Sequence, residues 1–178
     1  MPVTRIPVDV VMERIPLVNR WASERWQPAT VVAVGVPSVD ADIVAGRPQL
    51  LSQSDEGTQW CFPRCAIELH PTEAEGYYLN ISAPQPRVFV MWRFDDKATP
   101  PARPVVVTLS YNEAARMMDG GEQVDGVAMP PALEAMLAPY VDVHYKPEPR
   151  KKNRRNDPLD HDAHRRGRSE PSNGSSRS

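Results

Sequence analysis

The stretch SYNEAARMMDGG, residues 110–121, separates a part of the chain that favours strands from a part that favours helices. Ser110 followed by Glu113 is a capping-box pattern, in which the hydroxyl accepts from a free helical N–H and the carboxylate reaches back. Asp119-Gly120-Gly121 is a stop signal, because glycine readily adopts the left-handed conformation that ends many helices. The stretch therefore predicts a short helix over about residues 111–118.

Before this stretch, the sequence predicts short strands joined by turns. Proline occurs 20 times in 178 residues and is spread along the chain, which is typical of short strands that alternate with stiff turns. Alternating, β-branched and aromatic segments predict strands at residues 5–14, 26–36, 49–53, 58–69, 77–82, 87–94 and 105–109. The strand over residues 26–36 should be more buried than the strand over residues 5–14. The clearest predicted hairpin pairs residues 77–82 with residues 87–94.

After this stretch, the sequence predicts a second helix that begins at Pro130-Pro131. Proline is tolerated in the first turn of a helix, because the missing N–H would have no partner there. Apolar residues from Leu133 to Val141 recur at helical spacing, and His144 continues the same stripe. The fold class is therefore predicted to be α+β: an antiparallel sheet or partly closed barrel of about seven short strands, capped by one or two C-terminal helices.

Apolar residues nearly vanish after Tyr145. This change predicts a single globular domain over residues 1–145 and a disordered basic tail over residues 146–178. The tail holds 10 of the 21 Lys and Arg residues but only 5 of the 23 Asp and Glu residues, so the domain is acidic and the tail basic. The densest positive charges are candidate partner-binding residues, because they neutralise phosphates or acidic side chains: Lys151, Lys152, Arg154 and Arg155.

The composition favours a cytoplasmic protein that does not enter a membrane. No segment approaches the roughly 18 consecutive apolar residues of a membrane-spanning helix. The N-terminal residues lack the apolar run of a signal peptide, and two cysteines are too few to staple a secreted small domain.

Cys61 and Cys65, with His70 nearby, are the residues that most suggest a metal site. Zinc usually needs about four converging ligands. In a straight strand the two cysteines would lie about 13 Å apart, at roughly 3.3 Å per residue. Pro63 opposes the helix that would bring them together, so that only a tight turn could do so. The sequence therefore predicts no metal ligands and no cofactor.

The sequence also predicts no catalytic residue. It contains neither the P-loop motif nor a G-x-G-x-x-G motif, and no glycine follows the first predicted strand before Gly35. His70 and His144 do not accompany a recognisable Ser or Cys nucleophile. An enzyme whose site is assembled from scattered polar residues stays an alternative, which a deep pocket with converging acids or histidines would support.

Trp21 is the candidate anchor for a protein partner. Trp26, Trp60 and Trp92 fall in predicted strands, where tryptophan is expected to pack against the core. Trp21 instead falls in the predicted loop over residues 16–25. Tryptophan is enriched among the residues that dominate protein interfaces.

Three stretches together resemble a known family: RIPLVNRWASERWQP (residues 14–28), GYYLNISAPQPRVFVMWR (residues 76–93) and VTLSYNEAARMMDGGEQVDGVAMPPALEAML (residues 107–137). They look like a bacterial family of unknown function whose genes commonly lie beside those of molybdenum-dependent formate dehydrogenase and its maturation factors. The similarity runs from about Arg5 to Arg155.

The resemblance implies a non-catalytic accessory protein that assists assembly or maturation of a molybdenum formate dehydrogenase through protein contacts. The implied partner is a formate dehydrogenase subunit or a maturation factor. The alternative is a protein that binds nucleic acid or an acidic partner through its basic C-terminal tail.

Overall fold

A long antiparallel hairpin begins the fold in the computed structural model, which describes residues 2–149. Strand β1 (Thr4–Pro16) pairs with strand β2 (Glu24–Ala33). In β1, Val8, Val10 and Met12 alternate with more exposed residues and are completely buried. This period of two places one face of β1 in the core, as the sequence predicts.

Strand β5 (Gly57–Leu69) forms the other neighbour of β1 and pairs with it along nearly its whole length. Two short strands extend this part of the sheet. Strand β3 (Ser38–Val39) pairs with the start of β1, and strand β4 (Gln49–Ser54) pairs with β5 through the turn at Asp55 and Glu56.

The remaining strands complete a mixed, nearly closed barrel. They are β6 (Arg87–Phe94), β7 (Ala102–Thr108) and β8 (Gln123–Ala128), and the order along the sheet is β2-β1-β5-β7-β6-β8. The β5–β7 pair is parallel, while the other ladders are antiparallel. Strand β8 lies close to β2 without a ladder between them. The predicted α+β class with a partly closed barrel is confirmed.

Three α-helices accompany the sheet within one compact unit, Met1–Pro147. After a short 3-10 turn (Pro71–Glu73) come α1 (Ala74–Ile81), α2 (Tyr111–Asp119) and α3 (Pro131–His144). The core combines side chains from the inner face of the barrel with Tyr77 of α1 and with Leu133, Leu137 and Val141 of α3. The two predicted C-terminal helices are therefore confirmed.

The predicted cap of α2 is present, with one change of partner. The Ser110 hydroxyl accepts from the Glu113 N–H at 3.0 Å, as a capping box requires. The Glu113 carboxylate accepts from the Thr108 hydroxyl at 2.7 Å, and that hydroxyl in turn accepts from the Ser110 N–H at 3.0 Å. Thr108 therefore completes the cap that Glu113 was expected to complete alone. Gly121, with φ +84°, lies in the left-handed region just after the helix.

The predicted hairpin of residues 77–82 and 87–94 is wrong in its first half, because residues 74–81 form α1. Short apolar and aromatic runs do not distinguish a strand from a buried helix. As a helix, this segment places Ala74, Tyr77 and Asn80 on its buried side. The Tyr77 ring then packs edge-on against Tyr140 of α3, with ring centroids 5.9 Å apart. This contact is between segments far apart in sequence.

Two further expectations about strands are wrong. The strand over residues 105–109 is not the last, because β8 follows α2. The sequence does not predict β8, because the alternation of apolar residues in this strand is short and is interrupted by Gly126. Strand β2 is less buried than β1, since it is the first strand on the sheet path and pairs only with β1.

The predicted disordered tail, residues 146–178, lies outside the described residues from Arg150 onward. Lys146 to Pro149 have no helix or strand. The prediction for the tail, including its candidate residues Lys151, Lys152, Arg154 and Arg155, stays a prediction.

Candidate functional site

The loop between β1 and β2 presents the candidate anchor Trp21. The Leu17 N–H donates to the Ser23 carbonyl oxygen at 2.9 Å, which closes the hairpin. Within the loop, the Asn19 side-chain oxygen accepts from the backbone N–H of Trp21 at 2.7 Å and from that of Ala22 at 2.9 Å. Asparagine stabilises turns in this way. The local sequence therefore holds the backbone of Trp21 in a defined turn.

Trp21 and Val18 expose almost their whole side chains at this loop, 92% and 106% of the reference area. Residues 17–23 surround an open hollow of about 700 Å³, and Arg20 lies beside it on the surface. Exposed tryptophan and arginine are the residue types most often responsible for binding energy at protein interfaces. We name the loop 17–23 the Trp21 loop. Its chemistry suits binding to a protein, because it exposes an indole ring beside a guanidinium group.

The other three tryptophans pack against the hydrophobic core, as the sequence predicts. The Trp92 indole N–H donates to the Asp125 carboxylate at 2.7 Å, which ties β6 to β8. The Trp26 indole N–H is buried without a hydrogen-bond partner among the described residues. Trp21 is therefore set apart by both its exposure and its position.

Cys61 and Cys65 lie on β5 on either side of an irregularity in the strand. Arg64 adopts a left-handed φ of +54°, and its N–H donates to the Asp9 carboxylate at 3.0 Å. The β1–β5 register shifts at the same place. The straight-strand spacing assumed for the two cysteines is therefore wrong, because the strand bulges between them.

The environment of the two thiols keeps them protonated. Burial first, and then the nearby charge of Asp9, raise the pKa of Cys65 from 9.0 to about 11. Burial and Asp9 also raise the pKa of Cys61. Metal ligation and nucleophilic attack both need the thiolate. In the described part of the chain, no group of three His, Cys, Asp or Glu side chains is placed to hold a metal ion.

A cleft of about 300 Å³ between β5 and β7 collects Glu68, His70 and Glu113. It is the nearest approach to the converging acids and histidines that an enzyme would use. However, each carboxylate has a structural partner: Glu68 accepts from Arg5 at 3.1 Å, and Glu113 accepts from Thr108. His70 Nε2 lies 3.3 Å from the Glu68 carboxylate. The cleft lining includes no serine, threonine or cysteine to act as a nucleophile.

Below this cleft, Ser110 joins α2 to the segment before α1. Its completely buried hydroxyl donates to the Glu73 carboxylate at 2.7 Å, and Glu73 also forms an ion pair with Arg116. Sequence reasoning found Ser110 and Glu113 through the capping signal. It missed Glu73, because no local pattern connects residue 73 to residue 110.

A pair of stacked tyrosines lies where the chain leaves α3. The rings of Tyr78 and Tyr145 are 4.3 Å apart with an interplanar angle of 15°, and Tyr78 is 40% exposed. Tyr145 immediately precedes Lys146, the first residue of the predicted basic tail. This site was missed because Tyr78 was assigned to a strand. In the sequence, Tyr145 therefore lies directly before the basic segment, which itself contains no Phe, Trp or Tyr.

The described residues thus define a small α+β domain, a nearly closed mixed barrel with an exposed loop suited to protein contact. Comparison with family models then assigns the chain to a particular family. The chain matches the model described as "Protein of unknown function (DUF3305)" over residues 7–154, and it belongs to that family. The match extends through Lys151, Lys152 and Arg154. No curated protein and no solved structure gives a significant match.

None of the helices described over residues 2–149 is long and apolar enough to cross a membrane.

Proposed function

We propose that this protein is a non-catalytic accessory factor that assists assembly or maturation of a molybdenum formate dehydrogenase through protein contacts. The observation that carries the proposal is the Trp21 loop, where Trp21 and Val18 are almost fully exposed. The sequence resemblance to proteins encoded beside formate dehydrogenase genes supplies the partner.

The energetics of burial favour a binding role for the loop. An isolated, fully exposed tryptophan contributes little to folding, whereas burying a large aromatic side chain against a partner removes about 150–250 Å² from water. Asn19 holds the loop backbone before binding, so less conformational entropy is lost on association. Arg20 adds a positive charge beside the apolar anchor, which suits a partner surface with an apolar pocket and an acidic rim.

The first test is genetic. Deletion of the gene in a host that makes a molybdenum formate dehydrogenase is expected to lower the enzyme's activity and its molybdenum content. Unchanged activity and unchanged metal content would contradict the proposal.

The second test concerns the contact itself. A tagged catalytic subunit of formate dehydrogenase is expected to retain the wild-type protein and to lose Trp21→Ala, while Trp21→Phe retains part of the binding. Phe94→Ala is the matched control, because Phe94 is also an exposed aromatic residue, 59% exposed, but lies on β6. Equal retention of Trp21→Ala and Phe94→Ala would exclude the Trp21 loop as the contact.

A second candidate function is binding of a polyanion, either nucleic acid or an acidic protein segment, through the basic tail. The stacked Tyr78 and Tyr145 favour it, because aromatic rings can stack on bases and Tyr145 directly precedes the basic segment in sequence. Binding to a fluorescent single-stranded oligonucleotide and to polyglutamate tests the two ligand types. Loss of affinity for both ligands on removal of residues 146–178 would support binding through the tail. If the full-length protein binds neither ligand, this candidate function is wrong.

A further inference from the structure

Strand β4 forms an edge of the sheet with an open side. It pairs with β5 along one side, and no strand of the described chain pairs with its other side. All six of its side chains are exposed, including Leu50 at 48% and Leu51 at 54%. The backbone N–H and C=O groups of this outer edge are available for pairing with another strand.

The sequence of β4 lacks the usual protection of an exposed edge. Natural proteins place lysine, proline or inward-pointing charges on such strands to prevent pairing with another chain. Residues 49–54, QLLSQS, contain no charge and no proline. Within the strand the one protective feature is an irregularity between Leu50 and Ser52, where Leu51 is the extra residue, and directly before the strand Pro48 has no N–H to donate. An unprotected edge of this kind is a binding surface for an extended strand.

We propose that the occupant is a second copy of this chain, paired antiparallel along β4 about a two-fold axis. The argument is charge complementarity at the two ends of the strand. Arg47 precedes β4, while Asp55 and Glu56 follow it. All three are exposed, and none forms an ion pair within the described residues.

The two-fold axis brings these opposite charges together. If it passes through Leu51, Arg47 of each copy lies opposite Asp55 of the other. If it passes between Leu51 and Ser52, Arg47 lies opposite Glu56. Either register places two ion pairs around an uncharged centre, because an isologous interface makes each contact twice. Opposite charges at facing positions stabilise a strand pair, and like charges destabilise it.

The dimer buries the leucines that the isolated chain exposes. Pairing along β4 places Leu50 and Leu51 of both copies near the two-fold axis, where they leave water together. It also joins the two sheets into one. The irregularity at Leu51 divides the ladder into two short segments, so the ion pairs at its ends determine both register and partner.

Sedimentation measurements on the full-length protein over a range of concentrations test this proposal. The wild-type protein is expected to show a reversible monomer–dimer equilibrium. Arg47→Glu places like charges at both ends and is expected to weaken the dimer by about tenfold or more, since it replaces two attractive exposed pairs with two repulsive ones. The double variant Asp55→Lys, Glu56→Lys is expected to weaken it equally. A wild-type protein that stays monomeric would overturn the proposal.

Mixing the two variants separates this interface from any other. A heterodimer of Arg47→Glu with Asp55→Lys, Glu56→Lys has opposite charges at both ends. The mixture is therefore expected to recover wild-type dimerisation with one copy of each variant, as measured by native mass spectrometry. If the mixture stays monomeric, or if the separate variants dimerise as well as wild type, the β4 interface is wrong. Circular dichroism of each variant establishes that it is folded.

Arg25→Glu is the matched control. Arg25 is also an exposed arginine with no ion pair among the described residues, but it lies on β2. Its reversal changes the net charge by the same amount as Arg47→Glu. It is expected to leave the dimer unchanged, and a loss equal to that of Arg47→Glu would show that net charge alone, and not the β4 edge, governs association.

Discussion

The side-chain amide of Asn80 donates from Nδ2 to the carbonyl oxygen of Leu109 at 2.8 Å. The same nitrogen donates to the Arg87 carbonyl oxygen at 2.7 Å, and Asn80 Oδ1 accepts from the Arg87 N–H at 2.9 Å. One buried side chain on α1 therefore satisfies backbone groups at the start of β6 and just after β7. These groups would otherwise lack partners in the interior.

Replacement of Asn80 by leucine is expected to destabilise the protein by about 3 kcal/mol, because it leaves buried backbone groups without partners at about 1–3 kcal/mol each. Asn80 is only 2% exposed, so water cannot replace the lost bonds without rearrangement. Urea unfolding measures the change. Gln85→Leu, in the exposed loop between α1 and β6, is the control and should change the stability by less than about 0.5 kcal/mol. Equal effects of both variants would show that the amide of Asn80 is dispensable.

Gly76→Ala is expected to destabilise the protein by about 2 kcal/mol, although alanine is the better helix former by about 1 kcal/mol. A Cβ at residue 76 would lie 2.2 Å from the buried Ser110 hydroxyl oxygen, which is bonded to Glu73 and to the Glu113 N–H. Thermal unfolding measures the effect. Gly120→Ala is the matched control, because a Cβ there meets no atom closer than 3.4 Å. A neutral or stabilising Gly76→Ala would contradict the close packing of α1 on Ser110.

Trp21→Ala is expected to leave the free energy of unfolding within about 0.5 kcal/mol of wild type, because substitutions of exposed side chains are usually that small. Under the proposed function, the expected loss is in binding to the proposed formate dehydrogenase partner, by about 2 kcal/mol or more if Trp21 is a dominant contact. Trp60→Ala is expected to lower the free energy of unfolding and to leave binding by the folded protein unchanged, since Trp60 packs against the core. A strong destabilisation by Trp21→Ala would mean that the side chain has a structural role.

The stability should fall as the pH rises from about 9 towards about 11. Burial raises the pKa of Cys65 from 9.0 to about 11 in the folded protein, so the unfolded chain loses this proton first. The stabilisation that comes from the neutral thiol is therefore fully present below pH 9.0. It is lost as the pH rises through the pKa of about 11 that Cys65 has in the folded protein. Burial of Tyr77 raises its pKa and contributes in the same direction at higher pH. Urea unfolding at a series of pH values measures this dependence. The slope of the unfolding free energy against pH should be smaller in Cys65→Ala, and an unchanged slope would show that the Cys65 thiol is not its source.

If the basic tail binds nucleic acid, replacement of its four candidate residues with glutamine should weaken binding at low salt and reduce the salt dependence. Each charge contributes about 0.7 to the logarithmic salt slope for single strands, so four should lower it by about 3: Lys151, Lys152, Arg154 and Arg155. Fluorescence anisotropy over a salt series measures the slope. Replacement of Tyr78 by alanine should instead lower affinity without changing the slope, because stacking does not depend on counterion release. A wild-type slope of zero would exclude phosphate contacts.

Local signals were sufficient wherever a segment's neighbours in sequence decide its structure. Ser110, Glu113 and the glycines after Asp119 predicted α2 correctly, since a helix cap involves residues within one or two turns. The apolar stripe from Leu133 to Val141 likewise predicted α3. The Trp21 loop was predicted as a loop, but its exposure was visible only in the structure.

The sequence by itself determined the α+β class, the start of α2 at its Ser110 cap, and the concentration of positive charge after Tyr145. These properties depend on residue type and short-range spacing. Only the tertiary structure decided that residues 74–81 form a helix, that the chain bulges between Cys61 and Cys65, and that β4 has an open edge. The physical reason is that each of these depends on partners far along the chain: Ser110 and Tyr140 pack on α1, Asp9 binds the Arg64 N–H, and no distant strand covers β4 in the described chain.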